Sequence, residues 1–209
     1  MFLITELVMV VVTGILLIHA VEENSLEFAL YFWLGGAWFS LLRELLVANY
    51  SHLYAYGGFT IWLFKVPVIY LVFWTNFAYV AFRWSENALE ENFFARKPGQ
   101  NFYPLVFLIL VVLGIMVEGY GSQFQMIRWQ FETPLRLWGG VPVVISFSYG
   151  IMGVIYVAAF REIWTTISDP LKRVYHLIAW APLLVLIHMG ALFIIKVSID
   201  IFSGQLKLY

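Results

Sequence analysis

Six apolar stretches recur along this chain, each near the ~20 residues that a bilayer requires of a helix. They cover 2–20, 26–47, 60–82, 104–118, 137–160 and 175–202, the fourth reaching bilayer length only if it continues to Ser122. Hydrophobic residues make up 62% of the sequence and charged residues 12%. A soluble chain of 209 residues cannot hide that much apolar surface, so lipid is the solvent for most of it. The expected fold is all-α: a polytopic membrane helix bundle of about six transmembrane helices, with residues 1–209 as one integral membrane domain. No Lys or Arg precedes the first stretch and no small-residue cleavage site closes it, so it reads as a retained helix. The chain has no cysteine, which excludes disulfides, thiolate nucleophiles and Cys-held metals or clusters. A net charge of -1 argues against nucleic acid as a partner.

One pattern occurs twice. In the first copy Glu44 ends a span, an aromatic-rich connection follows, then Val66-Pro67-Val68-Ile69, then Tyr79-Val80-Ala81-Phe82 and Arg83. In the second, Glu118 ends a span, an aromatic-rich connection follows, then Val141-Pro142-Val143-Val144, then Tyr156-Val157-Ala158-Ala159-Phe160 and Arg161. The matched spacing reads as a duplication with units 26–83 and 104–161, against chance likeness among apolar helices. Both units start in the same direction, so the repeat is parallel, about an axis near the membrane normal. It sets Glu44 and Glu118 at similar depth, facing each other or facing one cavity. Pro67 and Pro142, several residues into their spans, are expected to kink the returning helices.

Six spans put both termini on one side, together with the connections 48–59 and 119–136. The opposite side carries Arg83, Arg96, Lys97, Arg161, Lys172 and Arg173, against Arg128, Arg136 and Lys207 with Arg43 at the boundary. That bias makes the more basic side cytoplasmic, in the inner cell membrane, and connections 48–59 and 119–136 extracytoplasmic. Arg83 and Arg161 end equivalent helices after aromatic residues, as snorkelling anchors do.

Charge within lipid is costly and points to function. Glu6, Arg43, Glu44, Lys65, Glu118, Lys196 and Asp200 all fall near one end of their spans, with Arg136 beside them. Almost nothing comparable is expected at the other depth, so a polar chamber should open at that end. His188, Leu192, Lys196 and Asp200 recur at steps of four and share one helix face. His188 lies about 12 Å deeper than Lys196. Each residue also has a plainer reading. Arg43 and Glu44 serve as interfacial caps and Glu118 as a helix end. Lys196 and Asp200 form a structural ion pair, His188 is a satisfied interhelical histidine, and Glu6 is a terminal interfacial residue. Their joint clustering favours a shared pocket.

Aromatic residues make up 19%. The two connections hold Tyr50, His52, Tyr54 and Tyr56, and Phe124, Trp129, Phe131 and Trp138. Trp33, Trp38, Trp74, Tyr149 and Trp180 are candidates for a cavity wall, although packing against lipid accounts for many aromatics. Ring faces stabilise a cation without attacking it. The four histidines lack metal-ligand spacing, which leaves His19 with His176 as the pair able to hold a haem. No P-loop, dinucleotide fingerprint or nucleophile elbow is present.

The pattern resembles the integral-membrane carotenoid biosynthesis proteins that include carotenoid and bisanhydrobacterioruberin hydratases. The matching residues are Glu44, Tyr54-Ala55-Tyr56, Val66-Pro67-Val68 and Trp74, then Glu118, Trp129-Gln130-Phe131, Gly140-Val141-Pro142-Val143 and Tyr149. The likeness covers roughly 40–160, and Asn49-Tyr50-Ser51-His52 stands where the family has a Gly-containing step. It implies cofactor-independent, metal-free addition of water to the end group of a polyene or isoprenoid lipid. Glu118 and Glu44 would be the acid and base, with Asp200 or Glu6 in reserve. Tyr54, Tyr56, Trp74, Trp129, Tyr149, His188 and Lys196 would line the substrate. The implied partners are the bilayer and a hydrophobic isoprenoid or carotenoid. Two other classes fit the same composition: a non-catalytic membrane subunit or anchor of a larger complex with membrane-protein partners, and a small proton-linked transporter using the clustered charges.

Overall fold

The computed structural model describes residues 2–47, 54–94, 97–130 and 135–204, except for the side chain of Phe2. Tyr50, His52, Arg96, Phe131 and Lys207 lie outside the described residues. Among the described residues six α-helices carry the fold: α1 (Phe2–Glu23), α2 (Leu26–Leu46), α3 (Val68–Leu89), α4 (Phe102–Gln123), α5 (Val143–Thr166) and α6 (Pro170–Phe202). Four of them, α1, α4, α5 and α6, are long and apolar enough to cross a membrane. The chain is therefore an all-α bundle with the helices of an integral membrane protein. Short strands complete it: β1 (Tyr54–Tyr56), β2 (Trp62–Leu63), β3 (Val66–Pro67) and β4 (Ile127–Trp129).

Local chemistry sets the helix ends. Ser25 takes the Phe28 N–H at 3.0 Å and Glu27 complements the first turn, so only Asn24 and Ser25 separate α2 from α1. Asp169 takes the Lys172 N–H at 2.9 Å with Pro170 next to it, which starts α6 five residues before the apolar stretch. The prolines correct the expected kinks. Pro67 and Pro142 are both N-caps with extended backbone (ψ 127° and 133°), so α3 and α5 begin after them rather than bending around them. The expected third and fifth spans thus started too early, and Lys65 is an exposed hairpin residue rather than part of a helix. Arg136 likewise precedes α5, donating to the Gly140 carbonyl at 2.9 Å.

Helices α2, α3, α4, α5 and α6 pack in that order around a closed ring, α6 returning to α2, and α1 leans on α2 and α3 from outside. Aromatic side chains fill the ring. Phe32 meets Tyr156 at 5.3 Å and Phe160 at 4.9 Å, and Phe39 stacks on Tyr156 at 5.9 Å. Lipid tails are as apolar as leucine, so packing and polar bonds must hold α1. Trp33 Nε1 donates to Asn76 Oδ1 and Asn76 Nδ2 to Thr13 Oγ1, both at 2.8 Å, and His19 Nδ1 meets Tyr79 Oη at 2.8 Å.

The expectation of little charge at the second depth is overturned. Arg83 pairs with Glu23 and Glu86, Glu86 accepts the Phe93 N–H at 2.9 Å, and Arg173 pairs with Glu27 at 3.0 Å. Arg83 and Arg161 do not end their helices. Arg161 Nε donates to the Phe93 carbonyl at 2.8 Å, with its guanidinium 5.3 Å over the Phe93 ring. The histidines His19 and His176 are engaged apart, the second with the Lys172 carbonyl of its own helix at 2.7 Å.

Small residues permit the close helix crossings. A Cβ on Gly36 would lie 2.6 Å from the Cγ2 and Oγ1 atoms of Thr75, a β-branched side chain with no exposed surface. Gly190 has open space around it. Gly36→Val is expected to destabilise the bundle by about 1–3 kcal/mol, and Gly190→Ala to leave it unchanged or slightly more stable. Thermal unfolding in detergent, followed by helical circular dichroism, checks both.

Candidate functional site

The two aromatic connections meet. β1 pairs antiparallel with β4, setting Tyr54 opposite Trp129, Ala55 opposite Arg128 and Tyr56 opposite Ile127. The strand partner of the 54–56 triplet is thus 127–129, two residues before the Trp129-Gln130-Phe131 triplet of the sequence match. This two-stranded cap lies across the end of the bundle where α2 and α4 finish and α3 and α5 start, and it brings side chains from both halves into one polar layer.

Glu44 and Arg43 are neighbours on the last turn of α2, and both are buried. Arg43 Nη1 pairs with Glu44 Oε1 and reaches Tyr54 Oη, and Nη2 donates to Ser148 Oγ at 3.3 Å. Ser148 Oγ in turn meets His188 Nε2 at 2.9 Å. Tyr54 and Tyr56 both donate to Glu44 Oε2, the second at 2.6 Å. Burial holds both phenols well above the ordinary tyrosine range, so they remain protonated donors. The cap therefore compensates a charge pair that would cost several kcal/mol to bury bare.

Glu118, on the last turns of α4, is 3% exposed, as is Glu44. Its surroundings differ. Oε1 accepts from Tyr149 and, at 3.1 Å, from Tyr70, while Oε2 is buried with no hydrogen-bond partner among the described residues. No cation pairs with Glu118 among the described residues. The Tyr56 and Tyr70 rings are 4.7 Å apart, so the tyrosine holding one carboxyl touches the tyrosine holding the other. Tyr70 also walls an apolar hollow of about 200 Å³ between α1, α3 and α4, with Met9, Phe59, Phe73 and Val117.

Of the residues singled out from sequence, Glu44, Glu118, Tyr54, Tyr56, Tyr149 and His188 enter this layer. Trp129 borders it, its ring 5.4 Å from Tyr54. Trp74 lies below it in the aromatic core, 5.5 Å from Phe39 and from Tyr156. Asp200 and Lys196 stand apart, paired with each other at 2.5 Å on α6. Glu6 accepts the Thr60 N–H at 2.8 Å rather than joining the carboxyl pair. Sequence reasoning placed Arg43 among the clustered charges but gave it no role in the site, and it missed two members. Tyr70 lies one helical turn before Trp74 on the same face. Ser148 carried no signal. Among the described residues no group of three or more His, Cys, Asp or Glu is placed to hold a metal ion.

No protein-family model, curated protein or solved structure matches this chain.

The ion pair carries a thermodynamic signature. Arg43→Met leaves Glu44 buried without its cation and is expected to cost about 3–5 kcal/mol. The double variant Arg43→Met/Glu44→Gln should recover most of that loss. Thermal unfolding of the wild type, the two single variants and the double variant reads the coupling.

Proposed function

We propose that the chain is a membrane enzyme that adds water to an alkene at the end of a polyene or isoprenoid lipid, without a cofactor. The reading rests chiefly on two buried carboxyls with unlike partners, joined through the touching Tyr56 and Tyr70 rings beside an apolar hollow. Unlike environments are what divide one acid and one base between two similar groups.

In this reading the chain end lies in the hollow with its double bond near Glu118. The proton leaves Glu118 Oε2, the oxygen with no described partner, and forms a C–H bond on the terminal alkene carbon. The alkene electron pair makes that bond, and the adjacent carbon becomes a tertiary cation. Tyr70 and Tyr56 present ring faces to it and exclude bulk water. A water oxygen then bonds the cation and passes its proton to Glu44, whose charge is held by Arg43. The substrate gains H and OH across one double bond, and return of the proton from Glu44 to Glu118 resets the pair for the next turnover. Tyr149 orients Glu118, and Tyr54 orients Glu44.

The same proposal takes α2 and α3 as spanning with the other four helices, in two parallel units, 26–83 and 104–161. The N-cap prolines of α3 and α5 and the antiparallel meeting of the two connections support this. The basic excess on the opposite loops supports a cytoplasmic location for those loops and an extracytoplasmic one for the cap. A transport reading draws less support, because Lys196 and Asp200 bond each other away from the carboxyl pair.

The test uses a host that accumulates the polyene. Glu118→Gln and Glu44→Gln should each lower conversion by about 10²–10⁴-fold, with Tyr149→Phe intermediate and all three proteins present in the membrane at wild-type level. Unchanged conversion by both Gln variants would exclude this assignment.

A further inference from the structure

Residues 57–67 leave the polar layer and form a structure of their own. Gly58 adopts the left-handed backbone (φ 70°) that turns the chain away from β1. β2 and β3 then pair antiparallel, Trp62 opposite Pro67 and Leu63 opposite Val66. Further bonds close the segment on itself: Val68 N–H to the Ile61 carbonyl at 3.0 Å, and Trp62 Nε1 to the Phe59 carbonyl at 2.8 Å. Thr60 N–H is tied to Glu6 of α1 at 2.8 Å.

The tip of this hairpin is built the wrong way round for water. Ile61, Trp62, Leu63 and Phe64 are four consecutive large apolar side chains, all exposed, Ile61 at 64% and Phe64 at 76%. Phe64 has φ 55°, a backbone that a side chain of this size rarely accepts, and the result is an outward-pointing ring. Lys65 is exposed beside it. Trp and Lys next to an apolar tip is the composition of a bilayer interface. The hairpin lies at an end of the lipid-crossing helices, so a leaflet adjoins it. Leu63 continues the wall of a second apolar hollow, about 430 Å³, that opens sideways between α2 and α6.

We propose that the β2–β3 hairpin is seated at the headgroup–acyl boundary of the adjacent leaflet, its apolar tip toward the acyl chains, as a lipid-facing strap over the two-carboxyl layer. Its base rests on the tyrosines of that layer. The Phe59 ring is 6.1 Å from Tyr70 and 6.2 Å from Tyr56, and the Trp62 ring is 6.5 Å from Tyr56. An apolar chain arriving from lipid meets Phe59 and Trp62 before it meets the rings that hold Glu44 and Glu118. The inference rests on the membrane reading of the bundle and not on the chemistry proposed for the carboxyls.

The chain has no cysteine, so a single introduced one labels a single place. Phe64→Cys, with Arg128→Cys on the exposed polar face of β4 at the same end as the reference, is labelled with a nitroxide and reconstituted in phosphatidylcholine vesicles. The label at 64 is expected to collide with dissolved oxygen several-fold more than with a water-soluble nickel chelate. The label at 128 should show the reverse. A nickel collision rate at 64 equal to that at 128 places the hairpin in water and overturns the proposal. Shielding from both reagents also overturns it, because protein rather than lipid would then cover the tip. Helical circular dichroism of both variants confirms that the bundle is intact.

Discussion

An ion pair buried in an apolar bundle has to be supplied with partners, and here Arg43–Glu44 dictates what surrounds it. The carboxylate takes the guanidinium on one oxygen and two tyrosines on the other. Those tyrosines sit on a strand, and the strand exists because a second connection pairs with it. On the far side the guanidinium reaches Ser148 on α5 and, through it, His188 on α6. One charge pair at the end of α2 thus ties three helices and the cap into a single polar layer.

Glu118 is the contrast within this layer. It lies at the same end of the bundle and is as buried as Glu44, but phenols rather than a cation face it. A structural role would be served by two matched pairs. At the opposite end of the bundle each of these carboxylates has a cation: Arg83 is shared by Glu23 and Glu86, Arg173 is on Glu27, and the hollow beside Arg83 is lined by Glu23, Asn24, Glu86 and Asn87. Where the two carboxyls differ, an apolar hollow opens beside the tyrosine of the unmatched one. Polar asymmetry and an apolar hollow coincide at one end of the bundle.

Much of this was legible in the chain. Helices follow from apolar length alone, since lipid leaves the backbone no other partner. Glu44 and Glu118 stood out because carboxylates in apolar helices need a reason. What was not legible came from interactions that have no local signal. Pro67 and Pro142 sit inside apolar runs that continue on both sides, so hydropathy hides the short strand that precedes α3 and the 3-10 turn at Trp138–Gly140 that precedes α5. The strands themselves are three residues or fewer, too short for an alternating pattern to show. Asp200 and Lys196 looked like members of the chamber because they share a face with His188. The two residues, however, satisfy each other. Arg161 looked like an anchor, yet it binds a carbonyl in a connection that hydropathy treats as loop.

The pairing of β1 with β4 decides whether Glu44 and Glu118 share one layer, and it can be tested in the membrane without any substrate. Ala55 and Arg128 face each other across that pair, and the chain has no cysteine of its own. In a double cysteine variant at 55 and 128, mild oxidation in native membranes should give an intramolecular disulfide in nearly every chain, seen by intact mass. A variant with cysteines at 55 and 97, in loops at opposite ends of the bundle, should give none. Free thiols at both 55 and 128 after oxidation, each still open to alkylation, would mean that the two connections lie apart and that the carboxyls do not form one site.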